Sequence, residues 1–253
     1  MFASSHQPSV LSLFSSTSSS PLLLASTSSA SPPLADSFIA LLDDATDANF
    51  TLISGPATSS STLKGKGTTV PRGNLRSRIL HLEAPDPRST HVQWGSGSKP
   101  LGITLPLLVL QLKDLGQAFF FEVGVRDERG NRAVIRASTF QQLQSSPKAY
   151  STNPPLLHLP LSFPAPSPST LTPWTTLTLH LPALLSAFSR LDNGRIFAKF
   201  SSLDFVKVYA NCRLRRIWCA EEGESGEVEE GMAVRGMRTE LGMFEAGNNE
   251  EGA

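Results

Sequence analysis

The stretch Ala118–Ser138, AFFFEVGVRDERGNRAVIRAS, decides the fold. Phe119, Phe121, Val123 and Val125 recur at every second residue, so an extended chain places them on one face and Phe120, Glu122, Gly124 and Arg126 on the other. DERGN interrupts the pattern with turn residues, and Gly130 supplies the left-handed conformation that a short hairpin loop needs. The return segment sets Ala133, Ile135 and Ala137 against Arg132, Val134 and Arg136. This is a β-hairpin with one apolar and one polar face.

Neighbouring segments repeat the period. PLLVLQLKDLG follows Pro106 as a nearly continuous apolar strand run that ends at Gly116. RSRILHLEA alternates, with Ile79 and Leu82 flanking a core face, and LLHLPLSF and RIFAKF are further short strands. WTTLTLHL alternates Leu177, Leu179 and Leu181 with Thr176, Thr178 and His180. PALLSAFSR reads as a short helix with Pro182 in its first turn. Many short strands separated by turn signals, with no long amphipathic helices, predict an all-β protein: an antiparallel β-sandwich or jelly roll with one or two short helices.

The ends differ from the middle. Residues 1–74 are rich in Ser, Pro and Gly, as in LFSSTSSSPLLLASTSSASPP and SGPATSSSTLKGKGTTVPRGN, and are expected to be largely disordered. Between them DSFIALLDD reads as a short helix capped by Asp36. Residues 75–220 form the sandwich domain, and 221–253, beginning EEGESGEVEEG at Glu221, read as an acidic, Gly-rich tail. PLLLA lacks the preceding basic residues of a signal peptide. No apolar run reaches the roughly 20 residues that span a bilayer, so a soluble intracellular protein without membrane contact is expected.

The 253 residues carry 22 basic and 22 acidic side chains. Their balance leaves no global field to draw in nucleic acid or anionic lipid, so electrostatic recognition must be local. One segment concentrates it: VKVYANCRLRRIWC, Val206–Cys219. Read as a single strand, Val206, Val208, Ala210, Cys212 and Leu214 face the core, while Lys207, Tyr209, Asn211, Arg213 and Arg215 face outward. A β-bulge at Arg215–Arg216 keeps Arg216 out of the core and returns Ile217 and Cys219 to it. The two cysteines are expected to be free thiols. The outward row, joined by Arg126, Arg129, Arg132 and Arg136 of the hairpin, is a candidate docking surface for an acidic partner, since a guanidinium engages carboxylates bidentately.

Catalytic and cofactor signals are missing. His6, His81, His91, His158 and His180 lack metal-site spacing. GKGTT at Gly65 does not complete a phosphate loop, GSGS at Gly95 is not a nucleophile elbow, and DDATDAN lacks a calcium loop's ligand spacing. No catalytic residue, cofactor or metal is assigned, and the protein is expected not to be an enzyme.

The run from Lys99 to Gln141, KPLGITLPLLVLQLKDLGQAFFFEVGVRDERGNRAVIRASTFQ, followed by VKVYANCRLRRIW, resembles the cilia- and flagella-associated protein 20 family. The resemblance covers Lys99 to about Cys219 and extends weakly to Leu75. Its specific parts are LGI.LP.LV at Leu101–Val109, F.FEV.V.D at Phe119–Asp127, the spacing from Arg136 to Gln142 and ANCR.RR at Ala210–Arg216. MFASSHQPSVLSLFSS, at the start, is also similar. The resemblance implies a sandwich shaped like carbohydrate-binding modules but used as a structural part of cilia. It implies a place at the inner junction of axonemal doublet microtubules beside parkin co-regulated protein, and at basal bodies and centrioles. It also makes the arginine-bearing strands candidates to contact tubulin, whose surface is acidic. The Ser-rich N-terminal part, the PAPSPSTLTP insertion and the acidic tail depart from the family pattern.

Two other readings are carried. A glycan-binding module would need exposed, coplanar aromatics, for which Trp94, Trp174, Trp218, Tyr150 and Tyr209 are the supply. A nuclear, nucleic-acid-associated role would use the same cations, with Tyr209 between them.

Overall fold

The computed structural model describes residues 1–2, 6–29, 36–55, 74–75, 77–140, 147–150, 152–163, 173–191 and 196–222. Over these residues the fold is an all-β sandwich of two seven-stranded sheets. In chain order the strands are β1 Val10–Ser15, β2 Ala25–Ser28, β3 Phe38–Asp43, β4 Asn49–Ser54, β5 Arg78–Glu83, β6 His91–Gly95 and β7 Leu107–Asp114. They continue with β8 Phe120–Asp127, β9 Arg132–Ser138, β10 Lys148–Tyr150, β11 Leu156–Pro160, β12 Trp174–His180, β13 Phe200–Tyr209 and β14 Cys212–Ala220. Sheet A has the order β12-β7-β14-β5-β3-β4, with β1 also paired to β14. Sheet B has the order β10-β11-β9-β8-β13-β6-β2. Among the described residues one α-helix, α1 Leu181–Leu191, follows β12. Its Leu181, Leu185 and Phe188, spaced i, i+4, i+7, pack into the main core.

The hairpin lies as its alternation dictates. Phe121, Val123, Val125, Ala133 and Ile135 are sealed in the core between the sheets, and Gly130 takes φ +83° in the turn. Asp127 ties that turn down: its carboxylate accepts from the backbone of Arg129, Asn131 and Ala198 and from the Asn131 side chain. Gly124 has a separate reason to be glycine, because a Cβ there would stand 2.2 Å from the Phe205 ring.

Several expectations are corrected. One pairing is parallel, β9 with β11, so sheet B is mixed. Residues 10–54, expected to be largely disordered, carry four strands. The supposed Asp36-capped helix is β3, whose Phe38–Leu42 are all buried. A β-branched or apolar residue at every position can satisfy either geometry; pairing to β5 on one side and β4 on the other decides for strand. Ile79 and Leu82 point to opposite sides: Leu82 joins the main core, whereas Ile79 packs with Phe38, Leu42, Leu75 and Trp174 in a second cluster. Residues 196–198 of RIFAKF precede β13 rather than forming a strand. Residues 56–73, the PAPSPSTL portion 164–171 and the tail from 223 lie outside the described residues.

Val206–Cys219 is not one strand. The chain crosses from sheet B to sheet A at Ala210–Asn211. Asn211 pins the crossing, accepting from the Ala84 amide at 2.8 Å and donating to the Ala118 carbonyl at 3.2 Å. The inward set nevertheless holds, because the inner faces of both sheets meet at the same core. Val206, Val208, Ala210, Cys212, Leu214, Ile217 and Cys219 are all fully buried. The expected bulge is present as a register shift between Leu214 and Arg216 against β7. Both cysteines are free, and burial pushes the Cys219 thiol up to about 12.

Candidate functional site

The crossing divides the cationic row. Lys207 and Tyr209, with Arg126, Arg132 and Arg136, belong to the outer face of sheet B, and Arg129 sits exposed in the β8–β9 turn. Arg213, Arg215 and Arg216 lie on the outer face of sheet A, across the sandwich. The nine residues therefore do not build one surface.

On sheet A the arginines are not free for a partner. Arg213 is only 9% exposed. Its guanidinium donates to Asp44 at 2.7 Å, to Asp47, and to His81 Nδ1 at 3.2 Å. Asp44 is fully buried and also accepts from the Leu75 amide at 2.8 Å and Trp174 Nε1 at 2.9 Å. Lys113 stands 3.6 Å away and donates to Asn74. Because His81 Nδ1 accepts from Arg213, its proton is on Nε2, which donates to Glu83 at 3.0 Å. Burial, and then Arg213, hold His81 below its usual range; the hydrogen bond from His81 lowers the Glu83 carboxyl. Burying a guanidinium costs several kcal/mol unless its charge and donors are matched. The β3–β4 turn supplies that match. Arg215, 7% exposed, donates to Gln111 at 2.7 Å; burial, and then Arg216, bring its pKa down to about 10. Arg216 is half-buried. The expectation that Arg213 and Arg215 face solvent is overturned.

Sheet B keeps more of its polar face accessible. Register aligns Lys148, His158, Arg136, Glu122 and Lys207 in one line across β10, β11, β9, β8 and β13. Glu122 is the sole carboxylate of that line. It accepts from Arg136 Nε at 2.9 Å and from the Tyr209 hydroxyl at 2.9 Å. Tyr209 stacks on Phe120 with ring centroids 3.9 Å apart. Arg136 lies over Phe120 at 5.4 Å, and Lys207 over Tyr209 at 4.6 Å. Burial, then the Glu122 charge and hydrogen bond, raise the Tyr209 phenol. Burial and Lys207 lower His91 to about 4. At the hairpin end, Arg126 grips Asp204 with two hydrogen bonds, 3.1 and 3.0 Å, and Arg132 approaches the same carboxylate at 3.6 Å. Two guanidiniums thus share one acid, and the Arg132 side chain stays 46% exposed. Arg132 also borders an open cleft with Asn131, Pro154, Pro155, Ile196 and Phe197.

The sequence pattern identified the cations but not the acids that hold them. Asp44 ended the segment read as helix, Asp47 lay just beyond it in DDATDAN, and Asp204 interrupts the apolar Leu203, Phe205 and Val206 of β13. That interruption was a usable signal, since an acid in a buried strand requires a cation. Phe140, Tyr150 and His158 gave no such signal. They cluster at the β9–β11 edge of sheet B, with His158 5.9 Å from Phe140 and 6.3 Å from Tyr150. Trp94, Trp174 and Trp218 are buried, which removes them as a sugar-stacking platform. Among the described residues there is no group of three or more His, Cys, Asp or Glu placed to hold a metal. No described helix is long and apolar enough to cross a membrane.

A family model described as CFA20 domain matches residues 54–232. The chain is 29% identical over 155 residues to cilia- and flagella-associated protein 20 of Chlamydomonas reinhardtii, covering 61% of this chain and 71% of that one. It is 27% identical over 155 residues to the protein of that name in Paramecium tetraurelia, with the same coverage. The counterpart of Caenorhabditis briggsae is 26% identical over 137 residues, 49% of this chain and 51% of that one.

Proposed function

Because the chain belongs to the CFA20 domain family, we propose that it is a non-enzymatic structural protein of cilia and flagella that binds doublet microtubules. Its place is the inner junction of the axonemal doublet, beside a parkin co-regulated protein-like partner, and at the basal body, where it supports ciliary assembly and motility. The observation that carries the reading is the match of the sandwich to relatives named for cilia and flagella in an alga and a ciliate.

Tubulin presents an acidic surface, and the described structure narrows which cations could meet it. Arg213 and Arg215 are engaged inside the protein. Arg129 and Arg132 stand exposed at the hairpin end of sheet B, where two guanidiniums share Asp204. They replace the full arginine row as the tubulin-facing residues.

Two measurements test this. The tagged protein should decorate the axonemal shaft and the basal body. The purified full chain should co-sediment with microtubules, and Arg129→Glu with Arg132→Gln should weaken that binding with little change in the melting temperature, because Arg129 is exposed and Arg126 still holds Asp204 with two hydrogen bonds. Exclusion from the axoneme, or unchanged co-sedimentation of the double variant, would overturn the reading or its contact residues respectively.

A further inference from the structure

We infer that the outer face of sheet B, at the corner formed by β9, β10 and β11, is a second docking surface, and that its occupant is an extended acidic peptide bearing aromatic side chains. The surface is distinct from the Arg129–Arg132 end and does not depend on the microtubule reading.

Charge is the first ground. The line across the sheet holds three fixed cations, Lys148, Arg136 and Lys207, against one carboxylate, Glu122. Both Glu122 oxygens are already occupied, one by Arg136 and the other by Tyr209. Lys148 is exposed and makes no ion pair among the described residues. The Lys207 ammonium rests on an aromatic face rather than on an acid. An incoming carboxylate would meet a cation at either end of the line. With neighbouring strands about 4.8 Å apart, β10 and β13 are separated by roughly 19 Å, which about six extended residues bridge.

Exposed aromatic surface is the second. Phe140 is 48% and Tyr150 42% exposed. They bracket His158, and Phe140 stands edge-on to Phe120 at 5.8 Å. Rings left this open beside cations fit a partner that buries an aromatic residue while pairing acids alongside it. A nucleic acid fits less well. It brings a charge with every nucleotide, whereas this line has a surplus of two cations, and Phe120 and Tyr209 are too buried to receive bases.

The test uses the full chain and a fluorescein-labelled synthetic peptide of about eight residues, mostly glutamate with two phenylalanines, followed by fluorescence anisotropy. Saturable binding is expected. Lys148→Glu should weaken it roughly tenfold, and Phe140→Ser with Tyr150→Ser by at least as much, with melting temperatures unchanged for the exposed Lys148 variant. The same variants should co-sediment with microtubules as the wild type does, which separates a failure here from a failure of the ciliary reading. The inference is overturned by absent saturable binding, by wild-type affinity in the Lys148→Glu protein, or by equal affinity for an all-glutamate peptide or a single-stranded oligothymidylate.

Discussion

Arg213 of β14 and Asp44 of the β3–β4 turn meet at 2.7 Å inside the protein, although 168 residues of chain separate them. The contact ties the Ser-rich N-terminal region to the strand that looked most available for docking. Asp44 is shared among Arg213, Trp174 and the Leu75 backbone, so it also staples a second apolar cluster onto the outside of sheet A.

Arg213→Ala leaves Asp44 buried without its guanidinium. The expected loss is about 3–5 kcal/mol, the range for breaking a buried pair from one side. Chemical denaturation measures it, with the exposed Arg129→Ala as a control that should change stability by less than about 0.5 kcal/mol. Equal midpoints for the two variants would contradict the internal role of Arg213.

Leu214, fully buried beside Cys212, fills the core between the sheets. Leu214→Ala should cost about 2–5 kcal/mol through lost contacts and a residual cavity. Leu214→Asp should prevent stable folding, because an unpaired carboxylate there has no water and no cation. A Leu214→Asp protein melting with the wild type would refute the assignment of strand faces.

Gly124 lies under Phe205, and a methyl group at that position would collide with the ring. Gly124→Ala should therefore lower the melting temperature, and adding Phe205→Ala should recover part of the loss. That coupling is readable as a double-mutant cycle. Simple additivity of the two substitutions would show that ring contact is not why glycine stands there.

Stability should fall as the solution is acidified. His81, His91 and His158 are held below their usual range, chiefly by burial, His91 at about 4. Unfolded imidazoles take up protons near pH 6.5 while the folded ones do not, so the unfolded chain gains protons first. The stabilising difference is complete above pH 6.5, and for His91 is lost as pH falls towards about 4. Urea midpoints at pH 7.5 and pH 5 compare the two regimes; a higher midpoint at pH 5 would reverse the sign. Asp127 adds a lower window. Burial works against its charged form, but hydrogen bonds from Asn131, Ala198 and Arg129 outweigh it and leave the pKa depressed. Its contribution therefore disappears only below about pH 4.

Period-two alternation was sufficient for the sandwich class, the hairpin with Gly130 at its turn, the inward sets of β8 and β9, and the bulge between Leu214 and Arg216. Each of those is set by neighbours along the chain: an extended backbone sends alternate side chains to opposite faces whatever lies across from them. The destination of the outward charges is different in kind. Whether Arg213 meets solvent or Asp44, and whether Val206–Cys219 spans one sheet or two, depends on which distant segments arrive beside it. Asn211 turns the chain between sheets, and the β3–β4 turn closes over Arg213. Pairing across such distances is decided by desolvation and hydrogen-bond matching in the assembled fold, and local spacing carries no record of it.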